Sequence, residues 1–287
     1  MSSIIIYNSS LGADIIEPTI RQVNKQYINN NDNCMKLIEE IKIIEDFIDN
    51  LGNLVFGRDF IICKNHNFSL QTILTSAQLT IGSIISCCKN GCIADANLLL
   101  RKYRDDMFFY LYIIIYDSEF KYGKNVNNIQ EQIIQWVEND LNNLYISQIL
   151  KTIGESSKLK ETIFKFNMQE NLDKMGIRLN NYTHGNGFRY YNCNISVYDY
   201  DRVLSSLSNI VSDLKYITIS VLFLITLCFP AYIMSTDYID YVELNEIPPY
   251  ESQYWVAPFI QEFIKNNISL ISDDCYDYLK NNTCMMV

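Results

Sequence analysis

Two residues with complementary chemistry lie close together in the second half of the sequence. They are Arg178 and His184, in the segment Arg178-Leu-Asn-Asn-Tyr-Thr-His184, which Gly185-Asn-Gly187 follows directly. An imidazole transfers protons near neutral pH, and a guanidinium holds a charged phosphoryl oxygen through two N–H donors. Together the two groups could cleave RNA without a metal ion.

The spacing of this pair sets a geometric condition. On an ideal helix, residues six positions apart point about 120° away from each other. Convergence of Arg178 and His184 therefore needs a break near Gly185, or the same motif from a second subunit. The structural alternative is that Arg178 forms a surface ion pair and His184 caps a helix end.

A second group of charged residues interrupts an otherwise apolar stretch. Arg101, Arg104, Asp105 and Asp106 precede Phe108, and Arg101 and Asp105 are one helical turn apart. Charges in such surroundings are costly unless they are paired or functional. The group is therefore either part of a site or a salt bridge that ties two helices together.

Cysteine and histidine spacing suggests a zinc pattern that helix geometry argues against. Cys63 and His66 form one pair of possible ligands, and Cys88 and Cys92 form another. A straight helix between the pairs would hold them roughly 30 Å apart. We expect no metal and no cofactor. The nine cysteines are odd in number and scattered, which favours reduced thiols.

Composition predicts an all-α protein with a large core. The chain has 287 residues, 48% of them hydrophobic, with only ten Gly and five Pro, too few for the turns of an all-β fold. A net charge of −10 argues against broad adhesion to nucleic acid or to anionic membranes. The N-terminus does not resemble a secretory signal, so we expect a cytoplasmic protein.

Apolar residues at helical spacing predict the elements that must position these groups. The predicted helices span 33–51, 70–88, 92–116, 129–153, 158–183 and 201–234. Ser69 would cap the second helix, and Gly91 would fold the second and third into a long antiparallel hairpin. Ser156-Ser157 with Glu161 resembles a capping box.

These elements predict one helical domain over residues 1–287. Residues 1–67 form an N-terminal extension with the first helix, 68–234 form the main bundle, and 235–287 form a C-terminal appendage. Residues 216–236 are uncharged and long enough to cross a bilayer, but a buried central helix would look the same. We expect no membrane contact.

The sequence resembles the HEPN superfamily over roughly residues 68–225. The features that carry the resemblance are the long hairpin, the Arg178 to His184 motif and the helix after it. The resemblance implies a multi-helix bundle and a metal-independent endoribonuclease site across a homodimer interface. It implies that His184 transfers the proton of the ribose 2′-hydroxyl, that Arg178 stabilises the phosphorane, and that Asn181, Tyr182, Arg104 and Asp105 support the site. Family members commonly carry a polar residue after the arginine, where this chain has Leu179.

Three functions follow as alternatives. The first is a HEPN-type ribonuclease of a toxin–antitoxin or phage-defence system, with RNA as substrate and an antitoxin or regulatory protein as partner. The second is a non-catalytic dimer module that binds a protein or a nucleotide. The third is a membrane-associated protein anchored through residues 216–236.

Overall fold

The computed structural model of the chain describes residues 19–56, 60–62, 67–120, 127–138, 145–194 and 200–287. Most of them are helical, and the described strands are one short antiparallel pair, Phe60–Ile62 (β1) with Asn67–Ser69 (β2). The all-α multi-helix bundle predicted from composition is confirmed.

The described part of the chain contains thirteen α-helices. In order they are α1 (Ile20–Asn29), α2 (Asp32–Leu54), α3 (Leu70–Lys89), α4 (Ile93–Phe120), α5 (Asn127–Val137), α6 (Ile146–Glu155), α7 (Lys160–Lys165), α8 (Met168–Thr183), α9 (Phe188–Tyr191), α10 (Tyr200–Cys228), α11 (Thr236–Glu243), α12 (Pro258–Asn267) and α13 (Cys275–Asn282).

The hairpin of α3 and α4 is antiparallel, as predicted. Lys102 of α4 donates hydrogen bonds to Ser76 and Thr80 of α3, and Ser76 also contacts Asp106, so sequence numbers rise on one helix as they fall on the other. Gly91 forms the turn with a φ of +74°, and a Cβ there would lie 2.6 Å from Cβ of Asn24. Only glycine fits both conditions without strain.

Helix α10 crosses the centre of the bundle against α4. Thr218 on α10 and Tyr103 on α4 share a buried hydrogen bond of 2.7 Å between their hydroxyl oxygens. Two described helices, Leu70–Lys89 and Arg202–Cys228, are long and apolar enough to cross a membrane, and in the second, 78% of the most apolar window is buried by protein. A core helix that is apolar on all sides meets the same criterion.

Several predicted boundaries are wrong. Residues 20–29, which lie outside the predicted helices, form α1, which Thr19 and Gln22 open with a capping box. The predicted helix over 129–153 is two helices, and α10 ends at Cys228 because the proline at position 230 cannot donate an N–H. The stretch between the predicted helices 33–51 and 70–88 includes the last turn of α2 and the first strand.

The predicted helix over 158–183 is also two helices. It is interrupted at Asn167, which takes the left-handed conformation with a φ of 49° between α7 and α8. The capping box expected at Ser156-Ser157 is absent from the start of α7, since the N-cap there is Leu159 without a side-chain hydrogen bond. Ser69 caps α3 as predicted, accepting the N–H of Gln71.

The C-terminal helices share the core of the bundle. Phe263 on α12 stacks on Phe47 of α2 with ring centroids 4.2 Å apart. Tyr278 on α13 meets Phe166 edge to face at 5.2 Å. Residues 235–287 therefore pack against both α2 and the segment that leads into α8.

Candidate functional site

The motif lies at the C-terminal end of α8. His184 is the C-cap residue, and its backbone N–H donates to the carbonyl of Asn180 at 3.1 Å. Gly185 and Gly187 then take positive φ values of +57° and +96°, which turn the chain away from the helix. The His184 side chain is exposed to solvent at this turn.

Arg178 points toward α10 and is paired there. Its Nη2 donates to the carboxylate of Asp213, and the side chains of Arg178 and Asp213 are 32% and 14% exposed. Burial raises the pKa of the Asp213 carboxyl above its usual value, although the Arg178 guanidinium acts in the opposite direction. The motif arginine is therefore half-buried in an ion pair that links α8 to α10.

The single chain does not bring Arg178 and His184 together. No hydrogen bond between their side chains occurs in the part of the chain that the structure describes. Their six-residue spacing on a regular helix turns them about 120° apart, one toward α10 and the other toward solvent. The break at Gly185 follows His184 and does not reorient it toward Arg178.

Asn181 and Tyr182 hold the following turn against α8. The Asn181 amide donates to the Tyr190 hydroxyl at 3.4 Å and accepts from the Asn186 amide at 3.3 Å. The rings of Tyr182 and Tyr190 meet edge to face with centroids 4.9 Å apart. Both residues therefore fix the position of the segment that leaves His184.

A guanidinium that the sequence did not assign to the site bonds to the residue before the histidine. Arg101 of α4 donates from Nη1 to the Thr183 hydroxyl at 3.1 Å, and Thr183 immediately precedes His184. The bond is exposed. The sequence places Arg101 in a charged group on α4 but carries no signal of which helix it faces.

Arg104 and Asp105 pair with each other beneath this surface. Arg104 is only 4% exposed and donates from Nε and Nη2 to one oxygen of Asp105, at 2.9 and 2.8 Å. Its Nη1 lies against Gly176 of α8, where a Cβ would be 2.7 Å away. The pair thus lies within α4, and Arg104 uses the space that Gly176 leaves to pack on the motif helix.

The arrangement offers proton transfer and anion binding at one exposed surface. His184 supplies an exposed imidazole, and Arg101 supplies a half-buried guanidinium whose hydrogen bond to Thr183 is exposed. Among the described residues, no group of three His, Cys, Asp or Glu side chains could hold a metal ion. Cys63 and His66 of the zinc pattern lie outside the described residues.

Comparison of the chain with protein-family models, with curated proteins and with solved structures finds no match. The function is therefore inferred from the geometry of the described residues and from the motif itself.

Proposed function

We propose that this protein is a metal-independent endoribonuclease of HEPN type whose reacting groups meet at the end of α8. The observation that supports this proposal is the hydrogen bond from Arg101 to Thr183, the residue beside the exposed His184. Arg101 would then provide a cation, and His184 a proton-transfer group, on one accessible surface of a single chain. The negative net charge of the chain confines RNA binding to such a local site.

In the proposed reaction, His184 removes the proton of a ribose 2′-hydroxyl. The 2′-oxygen then attacks the adjacent phosphorus, the bond to the 5′-oxygen of the next nucleotide breaks, and a proton returns to that oxygen from the imidazolium. The products carry a 2′,3′-cyclic phosphate and a free 5′-hydroxyl. Arg101 stabilises the negative charge that develops on the phosphoryl oxygens.

Arg178 has a different position in this scheme. Its guanidinium holds Asp213, so it reaches a phosphate only by leaving that carboxylate or across a dimer interface. Asn181 and Tyr182 keep the turn after His184 in place, and the Arg104–Asp105 pair supports α8 from below. These residues position the site, and Arg101 and His184 contact the substrate.

The test is cleavage of a single-stranded RNA oligonucleotide in the presence of EDTA. The wild-type protein should release products with 2′,3′-cyclic phosphate ends, detected by mass spectrometry. Substitution His184→Ala should lower the rate at least about 100-fold, because general acid–base groups contribute on that order. Asn180→Ala, at an exposed position on the same helix, is the matched control. Cleavage that needs Mg²⁺, or that persists in the His184 variant, would exclude the mechanism.

An enzyme of this kind would act as a toxin or in phage defence, under the control of an antitoxin or other regulatory protein. Expression of the wild-type chain should then arrest bacterial growth, and expression of the His184→Ala variant should not. Normal growth with the wild-type protein, at a level shown by immunoblot to equal the variant's, would count against this role.

The second candidate is a non-catalytic helical module that binds a protein or a nucleotide. The Arg178–Asp213 ion pair favours it, because the motif arginine then has a structural role within the fold. This candidate expects a folded helical protein with no RNA cleavage under any of the conditions above.

A further inference from the structure

A cleft of about 330 Å³ lies beside α4, between α3, α5 and α6. Its walls include Phe68, Phe109, Trp136, Asp105 and Asp106. The volume is at the lower end of the roughly 300–1,000 Å³ typical of sites for small molecules. The cleft is distinct from the surface of Arg101 and His184.

Three aromatic rings form one side of the cleft. Trp136 lies against Phe109 with centroids 4.2 Å apart and meets Phe68 edge to face at 5.9 Å. The faces of such rings carry partial negative charge and attract a cation, most strongly at tryptophan. The rings also provide an apolar surface for the body of a ligand.

Two carboxylates also line the cleft, and each uses one oxygen within the fold. One oxygen of Asp105 accepts both hydrogen bonds from Arg104. One oxygen of Asp106 accepts from Lys102 at 2.5 Å and from the Ser76 hydroxyl at 3.1 Å. In the described part of the chain, these hydrogen bonds leave Oδ2 of Asp105 and Oδ1 of Asp106 as free acceptors for a ligand.

We propose that this cleft binds a small organic ammonium ion, an amine attached to an aromatic or aliphatic body. The ammonium would donate its N–H groups to the free oxygens of Asp105 and Asp106, and its body would lie on Trp136 and Phe109. An anion would meet two carboxylates and is disfavoured. A neutral ligand would form weaker hydrogen bonds with these oxygens than a charged ammonium does. The site does not depend on the ribonuclease proposal.

A series of three ligands of similar shape tests the charge requirement on the unaltered protein. In isothermal titration calorimetry at pH 7, 2-phenylethylamine should bind at least about tenfold more tightly than neutral 2-phenylethanol, because the carboxylates act only on the cation. Phenylacetate should not bind. Equal affinity for the amine and the alcohol, or no binding of the amine, would overturn the proposal. Guanosine is titrated in the same way as a separate ligand. A preference for guanosine over the amine would indicate a nucleobase site and would also overturn the proposal.

Substitutions then locate the amine. Trp136→Leu, Asp106→Asn and Asp105→Asn should each weaken binding of 2-phenylethylamine at least about fivefold, the order expected when one contact to a charged ligand is lost. Asp240→Asn, at an exposed position on α11, should leave it unchanged. Circular dichroism verifies the fold of each variant, since Asp105 also holds Arg104. Unchanged affinity in folded Trp136 and Asp106 variants would place the amine elsewhere and refute the assignment.

Discussion

Arg101 and Asp105 are one turn apart on α4, yet they belong to two regions with opposite surroundings. Arg101 reaches the exposed end of α8, where it meets Thr183 beside His184. Asp105 borders the aromatic cleft and holds the buried guanidinium of Arg104. The hydrogen bond in the first region is exposed to solvent, and the second region is partly withdrawn from it.

This contrast separates the proposed catalytic groups at the end of α8 from the proposed ligand site in the cleft. Exposed polar groups contribute little to folding, so at the end of α8 they are available for catalysis without a large effect on stability. Groups at the cleft are partly desolvated, and burial raises the pKa of Asp105. Loss of Asp105 should affect folding, and a charged ligand that bonds to the remaining carboxylate oxygens should bind with selectivity.

The largest expected effect distinguishes the two arginines near the motif. Arg101→Ala should lower the rate of RNA cleavage at least about 100-fold, since loss of one group that stabilises developing charge costs that much. Arg178→Ala should retain cleavage within a few-fold per folded molecule, because its guanidinium is engaged by Asp213. Single-turnover kinetics on both variants measures the difference. The opposite result would return the phosphate-binding role to Arg178.

The next effect concerns folding. Asp105→Ala leaves the buried Arg104 without its partner and should lower the free energy of unfolding by about 2–4 kcal/mol, somewhat less than a fully buried pair because Asp105 is partly exposed. Arg101→Ala, at a half-buried position on the same helix, removes the exposed hydrogen bond to Thr183 and should change it by about 1 kcal/mol or less. Urea denaturation followed by circular dichroism compares the two. Equal losses would mean that the two regions do not differ in burial as described.

A smaller effect tests how closely Arg104 packs on the motif helix. Alanine gains about 1 kcal/mol over glycine in a helix interior. At Gly176 its Cβ would lie 2.7 Å from Nη1 of Arg104, so Gly176→Ala should be net destabilising. At Gly154 a Cβ would meet only Oε1 of Gln169, at 3.9 Å, so Gly154→Ala should be net stabilising. Thermal unfolding gives both signs, and stabilisation at both positions would contradict the contact.

The smallest effect is a pH dependence at the cleft. Burial raises the pKa of Asp105 above its ordinary value of 3.8, so between that value and the raised pKa the folded state holds more protons than the unfolded state. Stability contributed by Asp105 is therefore present at low pH and decreases as pH rises through this window. The difference in unfolding free energy, wild type minus Asp105→Asn, should fall as pH increases from about 4. A rising difference would show that Arg104 outweighs burial.

Local features of the fold were predictable from the sequence. The helical class, the hairpin at Gly91, the cap at Ser69 and the end of α8 near Gly185 all follow from neighbouring residues. The break at Asn167 was not predictable, because an asparagine in the left-handed conformation is one choice among several that its neighbours permit. Helix boundaries that depend on packing between distant segments were not predictable either, because the neighbouring residues permit more than one boundary.

The candidate site also divides into features that the sequence predicted and features that only the structure shows. The sequence indicated Arg178, His184, Arg104 and Asp105 as chemical groups but not their partners. Arg178 meets Asp213 across 35 residues, and Arg101 meets Thr183 across 82. Periodicity shows that a helix forms and which side is apolar. It does not show how α4, α8 and α10 rotate about their own axes when they pack.

By itself, the sequence determined a helical chain with a large apolar core, the turn between α3 and α4, and the residues able to transfer a proton or bind a phosphate. Tertiary structure alone decided that Arg178 faces Asp213, that Arg101 bonds to Thr183, the residue before His184, and that Trp136 and two aspartates line one cleft. The physical reason is range. Backbone conformation follows from adjacent residues, whereas the neighbour of each side chain depends on how all the helices fill the shared core.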